Sequence, residues 1–135
     1  MFIFPWMDKY SVHVDSIDAQ HQKLVELLNN LASAMSSGKG NLVLETTLNE
    51  LIDYTLYHFG DEEIYFSRIN YPQAEDHLLE HRKLIEKVSQ FKLDFEAKKV
   101  GLSIELMRFL KEWLINHISG TDKQLGMMLN KAGIK

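Results

Sequence analysis

No cysteine occurs anywhere in the 135 residues, which excludes a disulfide framework and any thiolate-held metal. Long apolar runs are missing as well. No stretch approaches the ~18 consecutive uncharged apolar residues of a membrane span. The apolar start, Met1 to Tyr10, is too short for a secretory signal and lacks its basic flank and small-residue cleavage site. A cytoplasmic protein with no membrane partner is expected. Basic charge is not in excess either: fifteen Lys and Arg against nineteen Asp and Glu give a net charge of −4. The two signs are interspersed, so no phosphate-binding face for nucleic acid is expected. Strand-type alternation, internal repeats and low-complexity segments are also lacking. With 45% hydrophobic residues, the chain 1–135 suits a single domain with a substantial core.

What remains is helical periodicity. From about residue 18 onward, apolar residues recur at the 3.6-residue spacing of amphipathic helices. Leu24, Leu27, Leu28 and Leu31 mark a first stripe, beginning after Asp18 as N-cap and ending near Ser36 to Gly40. Leu44, Leu48, Leu51, Ile52, Phe59 and Phe66 mark a second, from about Asn41 to just before Asn70-Tyr71-Pro72. Pro72 suits the first turn of the next helix. That third helix carries Leu84, Ile85, Val88, Phe91 and Phe95 and fades through Ala97 to Ser103, which opens a fourth with Leu106, Phe109, Leu110 and Trp113. Four such helices joined by short turns predict an all-α fold, an up-down-up-down antiparallel four-helix bundle over residues 18–130. Residues 1–17 form an N-terminal arm. Its Phe2, Phe4, Trp6 and Tyr10 are too apolar to be left in water, so the arm is expected to pack along the bundle and close the core.

Five of the six histidines fall at telling positions on these helices. His58 with Glu62, and His77 with His81, are four residues apart, so each pair shares a helix face about 6 Å apart along the axis. His21 and His117 lie on the apolar stripes of the first and last helices. In an antiparallel bundle the heights agree: His21 is early in its helix, His58 late, His77 early and His117 late. Imidazoles and carboxylates are ligands of redox-active transition metals, and so many donors exceed what one ion takes from protein alone. A two-metal site follows. Asp122 is the irregular member. Five residues beyond His117, a regular helix would turn its carboxylate about 140° off the shared face. A π-bulge between the two restores alignment, and Gly120 makes that distortion easier.

Other polar residues invite blander roles. A lone histidine on an apolar stripe is usually a hydrogen-bonded core residue, and only the joint spacing of the set argues otherwise. His13 matches no such position and is expected on the surface or arm. Asp61, Glu63 and Glu80 sit beside the candidate ligands but are turned off their face by helical geometry. They are expected in solvent, with a contact to an imidazole N–H as the alternative.

The set Asp18-Ala-Gln-His21, His58-x3-Glu62, His77-x3-His81 and Trp113-Leu-Ile-Asn-His117-x4-Asp122 closely resembles the bacterial hemerythrins, in order, type and spacing, from Trp6 to about Leu129. The resemblance implies a four-helix bundle enclosing a non-haem di-iron centre that binds dioxygen reversibly. One iron would take His77, His81 and His117 and the other His21 and His58. Glu62 and Asp122 would bridge them together with an oxo or hydroxo group. The iron with two histidines is then one ligand short, and dioxygen would bind there. An oxygen carrier, store or buffer is expected rather than an enzyme, with an unidentified protein as possible recipient of the gas. Sensing or iron handling by the same site is an alternative. A di-iron oxidase or oxygenase is another, although such sites use Glu-x-x-His motifs and no histidine here follows a glutamate at that spacing.

Overall fold

A computed structural model describes residues 5–37, 41–97 and 104–135 of the chain. Among these, all regular structure is helical: α1 (Asp15–Ser36), α2 (Asn41–Ile69), α3 (Ala74–Glu96), α4 (Ile104–Asn116) and α5 (Lys123–Lys131). A six-residue π-helical segment, His117–Asp122, joins α4 to α5, so the two read as one long fourth helix with an irregular turn inside it. The helices pack as the expected four-helix bundle. The rings of Phe2 and Phe4, the side chain of Leu44 and the start at Ser103 lie outside the described residues.

The apolar stripes face inward. Leu24, Leu28 and Leu31 of α1, Leu48 and Phe59 of α2, Leu84 and Val88 of α3, and Leu106, Leu110 and Ile118 of the fourth helix form one buried cluster. A second, smaller cluster contains Val12, Val14, Ile17, Phe66, Tyr71, Leu125 and Leu129. Each buried Leu, Ile, Val or Phe stabilises the fold by about 1.5–3 kcal/mol relative to leaving it in water. Chain order puts the histidines and carboxylates between the two clusters. Along α2, His58 and Glu62 lie between Leu51 and Phe66; along α3, His77 and His81 lie between Tyr71 and Leu84.

Two boundaries differ from expectation. Helix α1 starts at Asp15, after Val14, so Asp18 is not the N-cap. Its carboxylate instead ties down the arm, accepting from Ser11 Oγ at 2.6 Å and from the Val12 backbone N–H at 2.8 Å. Pro72 is not in the first turn of α3 but in the turn before Ala74. The cause lies two residues earlier. Asn70 adopts the left-handed conformation, φ 48°, and the Tyr71 N–H reaches back to the Phe66 carbonyl at 3.0 Å. That is a Schellman termination with its usual apolar contact, the Phe66 and Tyr71 rings lying 5.6 Å apart.

The arm closes the core as expected where it is described. Tyr10, Val12 and Val14 are buried, and Trp6 packs against the larger cluster. Val12 crosses the fourth helix at Gly126. A β-carbon built there would overlap the Val12 carbonyl oxygen and stand 2.9 Å from the Val12 β-carbon. Gly126→Ala is therefore expected to destabilise the protein by about 1–3 kcal/mol, although alanine is the better helix former by ~1 kcal/mol. Urea unfolding measures it; a raised midpoint would mean the arm yields without loss.

Candidate metal centre

The structure brings all seven expected side chains to one place. His21, His58, Glu62, His77, His81, His117 and Asp122 are each at most 2% exposed. They form two overlapping sets of donor atoms, within each of which the atoms lie no more than 4.8 Å apart. One set is Glu62, His77, His81, His117 and Asp122; the other is His21, His58, Glu62 and Asp122. The carboxylates are shared, while the histidines divide three and two. His13, by contrast, is exposed, as expected.

The contacts inside this cluster are short. Asp122 Oδ2 is 2.8 Å from His21 Nε2, and Asp122 Oδ1 is 2.9 Å from His77 Nε2 and 3.1 Å from His117 Nε2. Glu62 Oε1 is 3.0 Å from His81 Nε2. Yet many of these atoms form no aligned hydrogen bond: both carboxylate oxygens of Asp122, Glu62 Oε2, and the Nε2 atoms of His21, His58 and His77 are buried without one. Buried polar atoms are nearly always satisfied in proteins. So dense a cluster of orphaned nitrogen and oxygen donors fits metal ions of the nitrogen- and oxygen-binding type.

Without an ion, the same groups must share protons. Burial and the neighbouring Asp122 push the Glu62 carboxyl upward, but His58, His117 and His77 outweigh them and hold it below the ordinary carboxylate range. Burial likewise opposes ionisation of Asp122, and His117, His21 and His77 hold it well below its usual value. The imidazoles split. Burial disfavours the charged form of His77, yet Asp122 and Glu62 raise it to about 9. His117 is also raised, against burial, by Asp122, Glu62 and Glu80. Burial prevails at His58, which falls to about 4. Near neutrality the metal-free cluster thus balances two carboxylates with imidazolium charge on His77 and His117, and metal binding must expel those protons.

The expected distortion between His117 and Asp122 is present as the π-helical segment. It lets His117, Ile118 and Asp122 all face inward while Ser119 and Gly120 stay exposed. Thr121, in the same turn, donates to both oxygens of Glu80 at 2.9 and 2.7 Å.

Around the cluster lies a ring of partners that the sequence only partly suggests. Glu63 and Glu80, about 40% and 42% exposed at the side chain, nevertheless reach ligand-face imidazoles. Glu63 Oε2 is 3.2 Å from His81 Nδ1, and Glu80 Oε1 is 3.0 Å from His117 Nδ1. Their backbones are off the shared face, but a glutamate is long enough to wrap from the flank to a neighbouring helix. Asp61 acts indirectly, accepting from Gln20 Nε2 at 2.6 Å. Gln20 Oε1 in turn lies 2.6 Å from His58 Nδ1. Aromatic rings orient the remaining faces: Phe59 stacks on His81 at 3.7 Å between centroids, and Trp113 on His117 at 4.4 Å.

A helical bundle with a buried histidine and carboxylate cluster defines a metal-binding protein whose donors come from all four long helices. The chain matches the hemerythrin HHE cation binding domain over residues 12–129. It is 36% identical to a bacteriohemerythrin of Stenotrophomonas maltophilia over 123 residues, covering 91% of this chain and 79% of that protein. It is 34% identical to a bacteriohemerythrin of Pseudomonas aeruginosa, covering 87% and 75%. The solved structure of a wild-type hemerythrin superposes with a TM-score of 0.89 at 28% identity, over 94% of this chain and 98% of that one. The chain belongs to the hemerythrin family, and its donor cluster is compatible with a di-iron centre.

Proposed function

We propose that this protein binds dioxygen reversibly at a di-iron centre, as a carrier, store or buffer of the gas. The observation that carries this reading is the unequal division of histidines between two donor sets joined by the same two carboxylates. Glu62 and Asp122 would be shared by the ions; His77, His81 and His117 would hold one, and His21 and His58 the other, whose smaller donor set would leave room for the gas. When bound, a pair of ferrous ions supplies the electrons that reduce dioxygen and takes them back on release.

The chain's own residues do the rest. Ile118 and Leu28, each about 1% exposed, help keep bulk water from the cluster. A cavity of about 80 Å³ is lined by apolar residues including Leu24, Leu51, Leu84 and Leu114, together with His58, His117 and Asp122. Such a lining offers water few partners and suits an apolar gas. The five imidazoles against two carboxylates make the donor set less anionic than a carboxylate-rich oxidase site. That supports reversible binding over cleavage of the O–O bond.

Iron analysis with aerobic and degassed visible spectra tests the proposal. Two irons per chain and charge-transfer bands that vanish on degassing and return with air are expected. Bleaching in air that degassing and reduction cannot reverse, coupled to oxidation of a second substrate, would instead make the protein an oxidase.

A further inference from the structure

We propose that Gln20 is a positioning residue that keeps the two halves of the centre electronically unequal, by giving His58 a neutral acceptor where His81 and His117 have carboxylates. The proposal rests on the di-iron reading above.

The orientation of Gln20 follows from its other partner. An ionised Asp61 has only acceptor oxygens, so the Gln20 atom 2.6 Å from Asp61 Oδ2 is the amide nitrogen. The amide oxygen is then the atom 2.6 Å from His58 Nδ1, and an acceptor there requires the proton on Nδ1. His58 is thereby held in the tautomer that leaves Nε2 unprotonated. That Nε2 is buried without a hydrogen bond and belongs to the donor cluster. The relay runs from α2 to α1 and back to α2, so it also braces the two helices that supply the two-histidine half.

The opposite half is built differently. Glu63 meets His81, and Glu80 meets His117, with no group between carboxylate and ring. A carboxylate that accepts the Nδ1 proton makes the hydrogen bond charge-assisted and the opposite nitrogen more basic. An amide carbonyl does so less. Asp61 carries the same charge as Glu63 and Glu80, but the interposed Gln20 amide holds it away from the His58 ring. One imidazole in each half, His21 here and His77 opposite, has no hydrogen-bond partner at Nδ1 among the described residues, so the difference lies in the partner of His58 against those of His81 and His117. The three-histidine half therefore favours the ferric ion more strongly than the two-histidine half.

The test exchanges acid and amide. Gln20→Glu combined with Asp61→Asn preserves shape, net charge and both hydrogen bonds while moving the negative charge onto the group that touches His58. In the iron-loaded protein, the mixed-valent form present at half oxidation, read by electron paramagnetic resonance, gives the comproportionation constant. The exchange should lower it at least tenfold, a narrowing of 59 mV between one-electron steps, and should lower the mean potential. Glu80→Gln should also narrow the gap but raise the mean. A merely structural role for Gln20 would change iron content without these opposed shifts. Nitrogen-15 spectra of the metal-free wild-type protein provide an arm independent of any variant. They should show His58 protonated at Nδ1, and Gln20→Ala should give a mixture of tautomers. A wild-type His58 protonated at Nε2, or an exchange variant with two irons and an unchanged constant, overturns the proposal. A wild-type protein that fails to hold two irons overturns the di-iron reading itself, which iron content reports separately.

Discussion

Glu62→Ala is expected to abolish binding of both metal ions, whereas His58→Ala should abolish one. The difference follows from membership: Glu62 belongs to both donor sets, while His58 belongs only to the set with two histidines. Removing His58 leaves Glu62, His77, His81, His117 and Asp122 in place for the other ion. Removing Glu62 takes a carboxylate from each ion and leaves both sites with reduced anionic charge. The metal-free protein should suffer as well. His77 and His117 hold raised proton affinities through Asp122 and Glu62 together, and breaking such a buried pair by deleting one partner costs about 3–5 kcal/mol. Metal analysis after loading and urea unfolding of the metal-free variants measure the two effects. Retention of a full ion by Glu62→Ala would contradict the shared-carboxylate arrangement.

Deleting Gly120 should stabilise the metal-free protein and leave metal binding in place. The π-helical segment contains one residue more than a regular α-helix would use between His117 and Asp122. Gly120 is exposed, and a β-carbon built on it meets nothing within 4 Å, so its removal loses no packing. The fourth helix can then close into one continuous α-helical ladder, with Leu125 and Leu129 still facing the core. Loss of a helical glycine favours the fold by about 1 kcal/mol. Asp122 would then follow His117 by four positions, the same face-sharing spacing as His58 with Glu62 and His77 with His81, so its carboxylate stays with the donor set. Metal analysis after loading should still find both ions, while urea unfolding should show the metal-free protein harder to unfold. Loss of an ion in the deletion variant would show that the irregular turn does more than carry Asp122 across the five-residue gap.

Much of this was legible in the residues themselves. The helices announce their inward faces through Leu24, Leu28, Leu31 and their counterparts, because burial imposes the 3.6-residue period directly. The donor set is legible for the same reason: His58 with Glu62 and His77 with His81 can only share a face, and antiparallel topology brings their heights together. Even the irregular turn is implied by a five-residue gap that an α-helix cannot accommodate. What stayed hidden depends on contacts between segments far apart in the chain. Asp18 looks like a helix cap until Ser11 and Val12 are seen folded back on its carboxylate. Pro72 misleads because Asn70, an ordinary polar residue, takes the left-handed conformation that ends α2. Gly126 has no local signature; its necessity comes from Val12, more than a hundred positions away. Gln20 is equally silent, since nothing in a glutamine beside a histidine announces that it bridges Asp61 to the imidazole of another helix.

The face-to-face packing of Trp113 on His117, with ring planes 16° apart, gives the protein an intrinsic optical gauge. An open-shell ion held by His117 would lie close enough to drain the excited state of that indole by energy or electron transfer. The other indole, Trp6, belongs to the arm and the larger apolar cluster, away from the imidazoles. Dimming of ultraviolet-excited emission would then follow filling of the donor cluster, so metal loading becomes visible without any label.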